Sequence, residues 1–179
     1  VEKAGNYLLS LINNILDITR IESKKLDIIE EKFSLRQLVQ EVCLIGAKQA
    51  EAKNLEFVVD VEEILPEYLE GDALHIKQVI LNLINNAVKY TKKGEVFLEV
   101  CQEEKQISFS VKDTGIGIKK EDMEALFDMF MRADIKRHRN IEGSGLGLTI
   151  AKELCEQMGG HIQAESIYGK GSNFTVYFP

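Results

Sequence analysis

At its centre the chain reads Val96-Phe-Leu-Glu-Val-Cys-Gln-Glu-Glu-Lys-Gln-Ile-Ser-Phe-Ser-Val111, and this stretch decides the fold class. Apolar residues alternate with other residues in its first and last parts, which predicts two neighbouring β-strands that each turn one face toward a core. The segment 72–90 before it has apolar residues at helical spacing instead, with Asp72 placed to cap the helix. A helix followed by an adjacent pair of strands favours the α+β class.

The rest of the domain shows the same grouping of helices and adjacent strands. Ser34-Leu-Arg-Gln37 is a capping-box sequence and predicts the start of a helix. Asn54 is a suitable residue for the end of this helix. We therefore predict an α+β two-layer α/β sandwich, with one mixed sheet covered by helices on one face and without the βαβ alternation of a Rossmann sheet. The other predicted elements are a strand at 55–61, helices near 121–131 and at 148–158, a strand with Ile162 and Ala164 inward, and a last strand with Phe174, Val176 and Phe178 inward.

A separate apolar pattern precedes this domain in residues 4–18. Its apolar residues recur at alternating helical spacings, and additional apolar residues widen the stripe beyond what one packing partner needs. The segment begins without a capping residue, which favours one arm of a helical hairpin or coiled coil cut from a larger parent; an ordinary N-terminal core helix is the alternative. The charged stretch 22–32 then separates an N-terminal unit, residues 1–29, from a second unit, residues 30–179.

Composition excludes several classes of protein. The 179 residues include 22 Lys and Arg against 29 Asp and Glu, a formal net charge of −7, and 45% of them are hydrophobic. No apolar run approaches the roughly 20 residues that cross a membrane, no basic-then-apolar leader opens the chain, and the acidic balance disfavours a general nucleic-acid binder. The scattered cysteines indicate reduced thiols in a cytoplasmic compartment rather than a zinc site or a disulfide: Cys43, Cys101 and Cys155.

Glycine is concentrated late in the chain, where nine of the thirteen glycines lie between residues 115 and 171. Gly143-Ser-Gly-Leu-Gly147 directly precedes a predicted helix, and backbone amides at such a position can cradle a phosphate. The chain nevertheless contains neither a Walker A loop nor a dinucleotide-binding fingerprint. Asp113-Thr-Gly115 has the form of an aspartic-protease triplet, but that enzyme needs an all-β body and either a second triplet or a homodimer, whereas this sequence predicts long helices and has a single triplet. Tight turns explain Gly159-Gly160 and Gly169-Lys-Gly171.

Five motifs follow one another along the chain. They are Asn82-Leu-Ile-Asn-Asn-Ala-Val-Lys-Tyr-Thr91, Asp113-Thr-Gly-Ile-Gly-Ile118, Phe127-Asp-Met-Phe-Met-Arg132, Gly143-Ser-Gly-Leu-Gly-Leu148 and Gly169-Lys-Gly-Ser-Asn-Phe174. In this order they resemble the N, G1, F, G2 and G3 boxes of the catalytic ATP-binding domain of sensor histidine kinases, whose superfamily also contains gyrase, MutL and the heat-shock chaperone ATPases. The resemblance covers roughly residues 30–179 and implies the Bergerat-type ATP-binding fold, while residues 1–29 resemble the second helix of the family's dimerisation and phosphoacceptor hairpin.

The first motif places two amides on one face of the predicted helix, because Asn82 and Asn86 are four residues apart. Neighbouring apolar residues make this a core-facing helix, where an unsatisfied amide is costly, so a ligand role is favoured over plain surface polarity. An amide oxygen can hold a hard cation such as Mg²⁺. The resemblance implies that Asn86 is the Mg²⁺ ligand, that Lys89 contacts phosphate and that Tyr90 lies beside the adenine of ATP.

The resemblance also implies an adenine pocket and a phosphate loop. Asp113 ends a predicted strand, and in the family the matching carboxylate accepts a hydrogen bond from the adenine amino group; a simple Asp-Gly turn is the alternative reading. Ile116 and Ile118 would supply apolar walls for the base. The other implied nucleotide contacts are Gly115, Gly117, Gly143, Gly145, Leu146, Gly147 and Leu148.

The third motif leads into a basic segment, residues 133–142, which lacks an apolar period and is predicted to form a lid over the phosphates, as in the family. Arg132 matches a family arginine that reaches the terminal phosphate, where a planar guanidinium can stabilise transition-state charge. Phe127 and Phe130 are expected to be packing residues rather than nucleotide contacts.

Asn82 also bears on the type of reaction. Hydrolytic members of the superfamily have a water-activating glutamate at the matching position, and an amide cannot take a proton at neutral pH. We therefore predict slow ATP turnover with retained nucleotide binding, and transfer of the γ-phosphoryl group to a histidine for relay to a response-regulator aspartate. A nucleotide-binding regulatory module without phosphotransfer is the alternative.

None of the three histidines, His75, His138 and His161, has the family's phosphoacceptor pattern. We expect them to be solvated or structural, and we expect the acceptor on the first helix of the hairpin. The implied partners are the chain's own phosphoacceptor hairpin, in a homodimer of the parent protein, and a response-regulator receiver domain. Neither nucleic acid nor direct membrane contact by this fragment is expected.

Overall fold

The computed structural model describes residues 12, 19, 27–124, 126–127 and 146–179. In the N-terminal segment that contains the predicted helix at 4–18, only Ile12 and Thr19 are described, and both have helical backbone. Most of that helix therefore lies outside the described residues, as do Phe130, the predicted lid and three predicted site residues, namely Arg132, Gly143 and Gly145.

Four helices and seven strands form the described domain. The helices are α1 (Leu35–Glu51), α2 (Ala73–Tyr90), α3 (Lys120–Met123) and α4 (Gly147–Gln157). The strands are β1 (Glu31–Ser34), β2 (Glu56–Val61), β3 (Tyr68–Gly71), β4 (Glu95–Glu103), β5 (Gln106–Asp113), β6 (His161–Ile167) and β7 (Gly171–Phe178).

Five of these strands form one mixed sheet in the order β2-β4-β5-β7-β6. The edge strand β2 pairs parallel with β4, whereas every other neighbouring pair in this sheet is antiparallel. The register aligns inward residues across the strands, so that Leu98 lies opposite Val111, Val111 opposite Phe174, and Phe174 opposite Ala164. The two strands predicted at 96–111 are β4 and β5, and both lie inside the sheet rather than at its edge.

One face of this sheet carries the core. α1 packs on β2, α2 on β5 and α4 on β6, and α2 lies between the other two long helices. The apolar positions of α2 and the inward residues of β4, β5 and β7 are almost completely buried in one cluster. Burial of this shared apolar surface stabilises the two layers, which confirms the predicted α+β sandwich with helices on one face.

The helix starts follow the predicted caps in part. Asp72 caps α2, since its Oδ1 accepts a hydrogen bond from the His75 backbone amide at 3.0 Å. Ser34 caps α1 through its Oγ, which accepts from the Gln37 amide at 3.3 Å. In a full capping box the Gln37 side chain would also bond back to the Ser34 backbone amide. That part of the prediction is wrong, because the Gln37 side chain donates to Glu41 Oε1 at 3.0 Å instead.

Two other features differ from the sequence prediction. The sequence pattern does not predict the short antiparallel pair β1–β3, which joins Glu31 to Gly71 and Ser34 to Tyr68. The helix expected near 121–131 is only the four residues of α3 in the described chain, and Leu126 and Phe127 lie in a turn. The Leu126 amide bonds back only three residues, to the Met123 carbonyl, so the α-helical pattern has ended there.

Candidate functional site

The polar face of α2 carries the two predicted amides. Asn82 and Asn86 are both partly buried, whereas Asn85 between them is exposed. The Asn82 Nδ2 atom is buried and has no hydrogen-bond partner among the residues that the structure describes. A buried amide donor without a partner costs free energy, so its presence beside Asn86 fits a site at which a polar ligand completes the hydrogen bonds.

The last turn of α2 carries the other predicted residues of this motif. The Lys89 Nζ lies over the Tyr90 ring, 4.7 Å from its centroid. Thr91 caps the turn, since its buried Oγ1 donates to the Ala87 carbonyl at 2.8 Å. The Tyr90 carbonyl accepts a hydrogen bond from the Ile116 amide at 3.3 Å. The end of α2 is therefore joined to the glycine loop that follows β5.

Asp113 is the last residue of β5 and is 5% exposed. Its Oδ1 accepts a hydrogen bond from the Gly115 amide at 2.8 Å, as in an Asp-Gly turn. Burial raises the pKa of Asp113, an effect that the hydrogen bonds from the Gly115 and Ser172 backbone only partly offset. A buried carboxylate with spare acceptor capacity at a glycine loop is chemically suited to a neutral donor such as an exocyclic amine.

Glycine is required in this loop because other backbone atoms approach it closely. A Cβ at Gly115 would lie 2.5 Å from the Tyr90 carbonyl oxygen and 2.7 Å from Asp113 Oδ1. Gly117 has a φ of +65° and abuts the Ile167 carbonyl. The loop thus fits between α2 and the β6–β7 hairpin, with Ile116 and Ile118 partly buried on it.

The β6–β7 hairpin supports the same loop from the other side. The Gly169 amide donates to the Ile116 carbonyl at 2.7 Å, and the Ile118 amide donates to Ser166 Oγ at 2.7 Å. Ser166 Oγ donates in turn to the Gly171 carbonyl at 2.9 Å. The sequence does not mark Ser166 as a site residue, since a serine near a glycine turn carries no distinctive signal. The Gly169–Gly171 segment is therefore more than a tight turn, because it also positions the loop after β5.

The start of α4 is the described part of the predicted phosphate loop. Leu146 is fully buried, and Leu148 packs against the core. At Gly147 an added Cβ would meet no atom of the described residues within 4 Å. Thr149 Oγ1 donates to the Phe127 carbonyl at 3.0 Å, which joins α4 to the turn containing Phe127. Phe127 packs against the core, as expected.

Two histidines have structural surroundings. The His75 Nδ1 lies 2.7 Å from Asp72 Oδ2, at the start of α2. The His161 ring stacks on Tyr177, with centroids 4.4 Å apart and ring planes 7° apart. His138 lies outside the described residues.

Within the described residues, no three His, Cys, Asp or Glu side chains come together as a metal site. Nor does any helix among them have the length and apolarity needed to cross a membrane. The candidate site consists of an amide face on α2, a buried aspartate, and glycine loops at one end of the sandwich. These features are suited to binding a nucleotide.

The sequence model for the histidine kinase-, DNA gyrase B- and HSP90-like ATPases matches residues 71–179, and the chain belongs to this family. Within the family it is an ATP-binding catalytic domain of the sensor histidine kinase type. It is 42% identical over 181 residues to the sensor protein GacS of Pseudomonas syringae pv. syringae, covering 98% of this chain and 20% of that protein. It is 40% identical over 185 residues to the sensory/regulatory protein RpfC of Xanthomonas campestris pv. campestris, covering 100% of this chain and 26% of that protein.

Solved structures agree with this assignment. Full-length ShkA in complex with AMPPNP superposes with a TM-score of 0.87 at 29% identity, over 99% of this chain and 36% of that one. The catalytic domain of the histidine kinase ThkA superposes with a TM-score of 0.70 at 27% identity, over 84% of this chain and 95% of that one. The chain thus spans about a fifth to a quarter of the GacS and RpfC sequences, and the family match begins at residue 71. The predicted division between residues 29 and 30 stays a prediction.

Proposed function

We propose that this domain binds ATP with Mg²⁺ and supplies the γ-phosphoryl group to a histidine on a phosphoacceptor hairpin, of which residues 1–29 form the second helix. From that histidine the group passes to the aspartate of a response-regulator receiver domain. The domain works in the cytoplasm, where ATP is available, and any membrane anchor belongs to other parts of the parent protein. The observation that carries the proposal is the buried Asn82 Nδ2, which has no hydrogen-bond partner among the described residues and lies on the same helix as Asn86.

Different residues bind the adenine base and the phosphates of ATP. Asp113 accepts from the adenine amino group, and Tyr90, Ile116 and Ile118 lie along the base. Gly115 and Gly117 keep the loop free of side chains so that the base can approach the backbone. Backbone amides around Gly143, Gly145, Leu146, Gly147 and Leu148 receive the phosphates at the start of α4.

The reacting end is held by α2 and by Arg132. Asn86 offers its amide oxygen to Mg²⁺, Lys89 contacts phosphate, and Mg²⁺ when bound neutralises phosphate charge. An imidazole nitrogen of the acceptor histidine attacks the γ-phosphorus, the bond to the β,γ-bridging oxygen breaks, and ADP leaves with that electron pair. Arg132 stabilises the charge on the transferring group.

Asn82 lies at the position where a hydrolase needs a general base. Its amide can donate a hydrogen bond through Nδ2 but cannot accept a proton from water at neutral pH. Transfer to histidine avoids this limit, because a neutral imidazole already has a nucleophilic lone pair. Slow hydrolysis with efficient transfer is therefore the expected behaviour.

Calorimetric titration with Mg-ATP tests the binding half of the proposal. Asn86→Ala should weaken Mg-ATP binding by about tenfold or more, since it removes a metal ligand. Asn85→Ala is the matched control, because Asn85 is an exposed amide one position away on the same helix. Equal losses in the two variants, or no binding by the wild-type chain, would count against the proposed site.

Radiolabelled ATP tests the transfer half. A parent polypeptide with the complete hairpin should acquire acid-labile, alkali-stable label, and Asn86→Ala should abolish it. Nucleotide binding by the wild-type parent without any label would identify the regulatory module instead. ATP hydrolysis by the 179-residue chain at rates typical of gyrase would exclude the kinase assignment.

A further inference from the structure

The last four carbonyl groups of α2 have no partner within the helix, as at the end of any α-helix. Three other parts of the chain supply the missing hydrogen bonds. Thr91 caps Ala87, and the Ile116 amide bonds to the Tyr90 carbonyl. The two carbonyls between these, those of Val88 and Lys89, both accept hydrogen bonds from Lys53 Nζ, each at 3.1 Å.

Lys53 reaches this position because its backbone is fixed in a tight turn after α1. The Lys53 amide donates to the Ala50 carbonyl at 2.9 Å, and the Leu55 amide donates to the same carbonyl at 3.0 Å. Asn54 takes a left-handed φ of 56° between them. The Glu56 amide then bonds to the Gly94 carbonyl at 3.0 Å, which holds this turn beside the end of α2.

We propose that Lys53 is a positioning residue for the nucleotide site. An ammonium group that binds two carbonyls fixes the direction of the last turn and complements the partial negative charge of the helix end. That turn presents Lys89 and Tyr90, and its Tyr90 carbonyl holds the loop that follows Asp113. Lys53 lies more than 25 residues before the first of the nucleotide-binding motifs and acts on the site only through backbone.

This inference rests on the proposed nucleotide binding, and it concerns the adenine end of the site, where the loop after Asp113 lies. Lys53→Met keeps the aliphatic stem and removes both hydrogen bonds. We expect it to weaken ATP and ADP binding by the same factor, about tenfold, because the adenine end is common to both. Lys53→Arg, which keeps a cationic donor, should restore affinity to within about twofold.

Lys77→Met provides the matched control. Lys77 lies on the same helix and its Nζ pairs with Glu41 Oε2 at 2.8 Å, toward the opposite end of α2. Lys53→Met loses two hydrogen bonds to α2, and Lys77→Met loses the ion pair between α2 and Glu41 of α1. A general stability effect would therefore lower the melting temperature in both. Only Lys53→Met should change nucleotide affinity, measured by calorimetry with ATP and ADP well below either melting temperature.

The outcomes separate the two proposals. If the wild-type chain binds neither nucleotide, the proposed function fails and this inference fails with it. If the wild type binds but Lys53→Met matches Lys77→Met in affinity, or weakens ATP alone, Lys53 does not position the adenine end. Should Lys53→Met fail to fold, Lys53→Gln, a shorter neutral donor, is measured under the same criteria.

Discussion

Gly171 lies directly against the backbone of Asp113, so closely that a Cβ at Gly171 would overlap the Asp113 carbonyl oxygen. Gly171 has a φ of +121° and begins β7, while Asp113 ends the neighbouring strand β5. Gly171 of the last motif and Asp113 of the second motif are thus in direct contact, although 58 positions separate them along the chain. This contact fixes the carboxylate at the end of the sheet.

Gly171→Ala should therefore destabilise the domain strongly. The added Cβ meets backbone that cannot move easily, and the backbone conformation is one that side chains disfavour. We expect a loss of about 2–4 kcal/mol in the free energy of unfolding, measured by urea denaturation. Gly169→Ala is the control, because Gly169 also has a positive φ of +84° but no atom of the described residues within 4 Å of an added Cβ; its cost should be about 1 kcal/mol. Similar losses of unfolding free energy in both variants would show that the backbone conformation, and not the contact with Asp113, makes glycine necessary at position 171.

Asp113 should make stability fall with rising pH. Burial raises its pKa in the folded chain, so the folded state holds the proton at pH values where the unfolded state has released it. The free energy of unfolding of wild type minus that of Asp113→Asn should therefore decrease as the pH rises from about 4, and level off above the folded pKa. Urea titrations across this range measure the difference. A difference that grows with pH would contradict the assignment.

Asp72 should show the opposite dependence. Burial alone would raise its pKa, but hydrogen bonds from the Ile29 and His75 amides and from the His75 ring lower it overall. Its stabilising contribution is present above the unfolded pKa of about 4 and is lost as the pH falls through the folded value. The difference in unfolding free energy between wild type and Asp72→Asn should thus shrink below pH about 4. The substituted Asn keeps capping ability, so a difference independent of pH would show that charge is unimportant there.

Cys155 should resist alkylation in the folded chain. Its thiol is completely buried in α4 and donates weakly to the carbonyls of His161 and Tyr177. Desolvation raises the pKa of Cys155 to about 12, which leaves about one part in ten thousand as reactive thiolate at pH 8. Peptide mass spectrometry after iodoacetamide treatment should find Cys43 and Cys101 modified first, because both are only partly buried. Modification of Cys155 at the rate of Cys101 in folded protein would contradict this.

Much of the fold could be predicted from local pattern. The alternation at 96–111 and the helical period at 72–90 correspond to β4, β5 and α2, because these segments each bury one continuous face. β1 and β3 could not be predicted in this way. They are four residues each, they stabilise one another only as a pair, and Phe33 and Leu69 of the pair contribute little apolar pattern of their own.

The site shows the same division. Asn82, Asn86 and Asp113 could be selected from the sequence because residue type and spacing within one motif carry the chemistry. Lys53 and Ser166 could not, since a single lysine or serine in a turn has many uses. Their roles depend on partners that lie 35 and 48 positions away along the chain.

The sequence by itself determined the class of domain and the order of its motifs, because periodicity and glycine spacing are local properties of the chain. Only the tertiary structure decided how the motifs meet. Gly171 against Asp113, Ile116 against Tyr90 and Lys53 on the end of α2 are contacts between distant segments. The physical reason is that packing one sheet against three helices brings distant loops together. The distance between two such loops in space cannot be inferred from their separation along the chain.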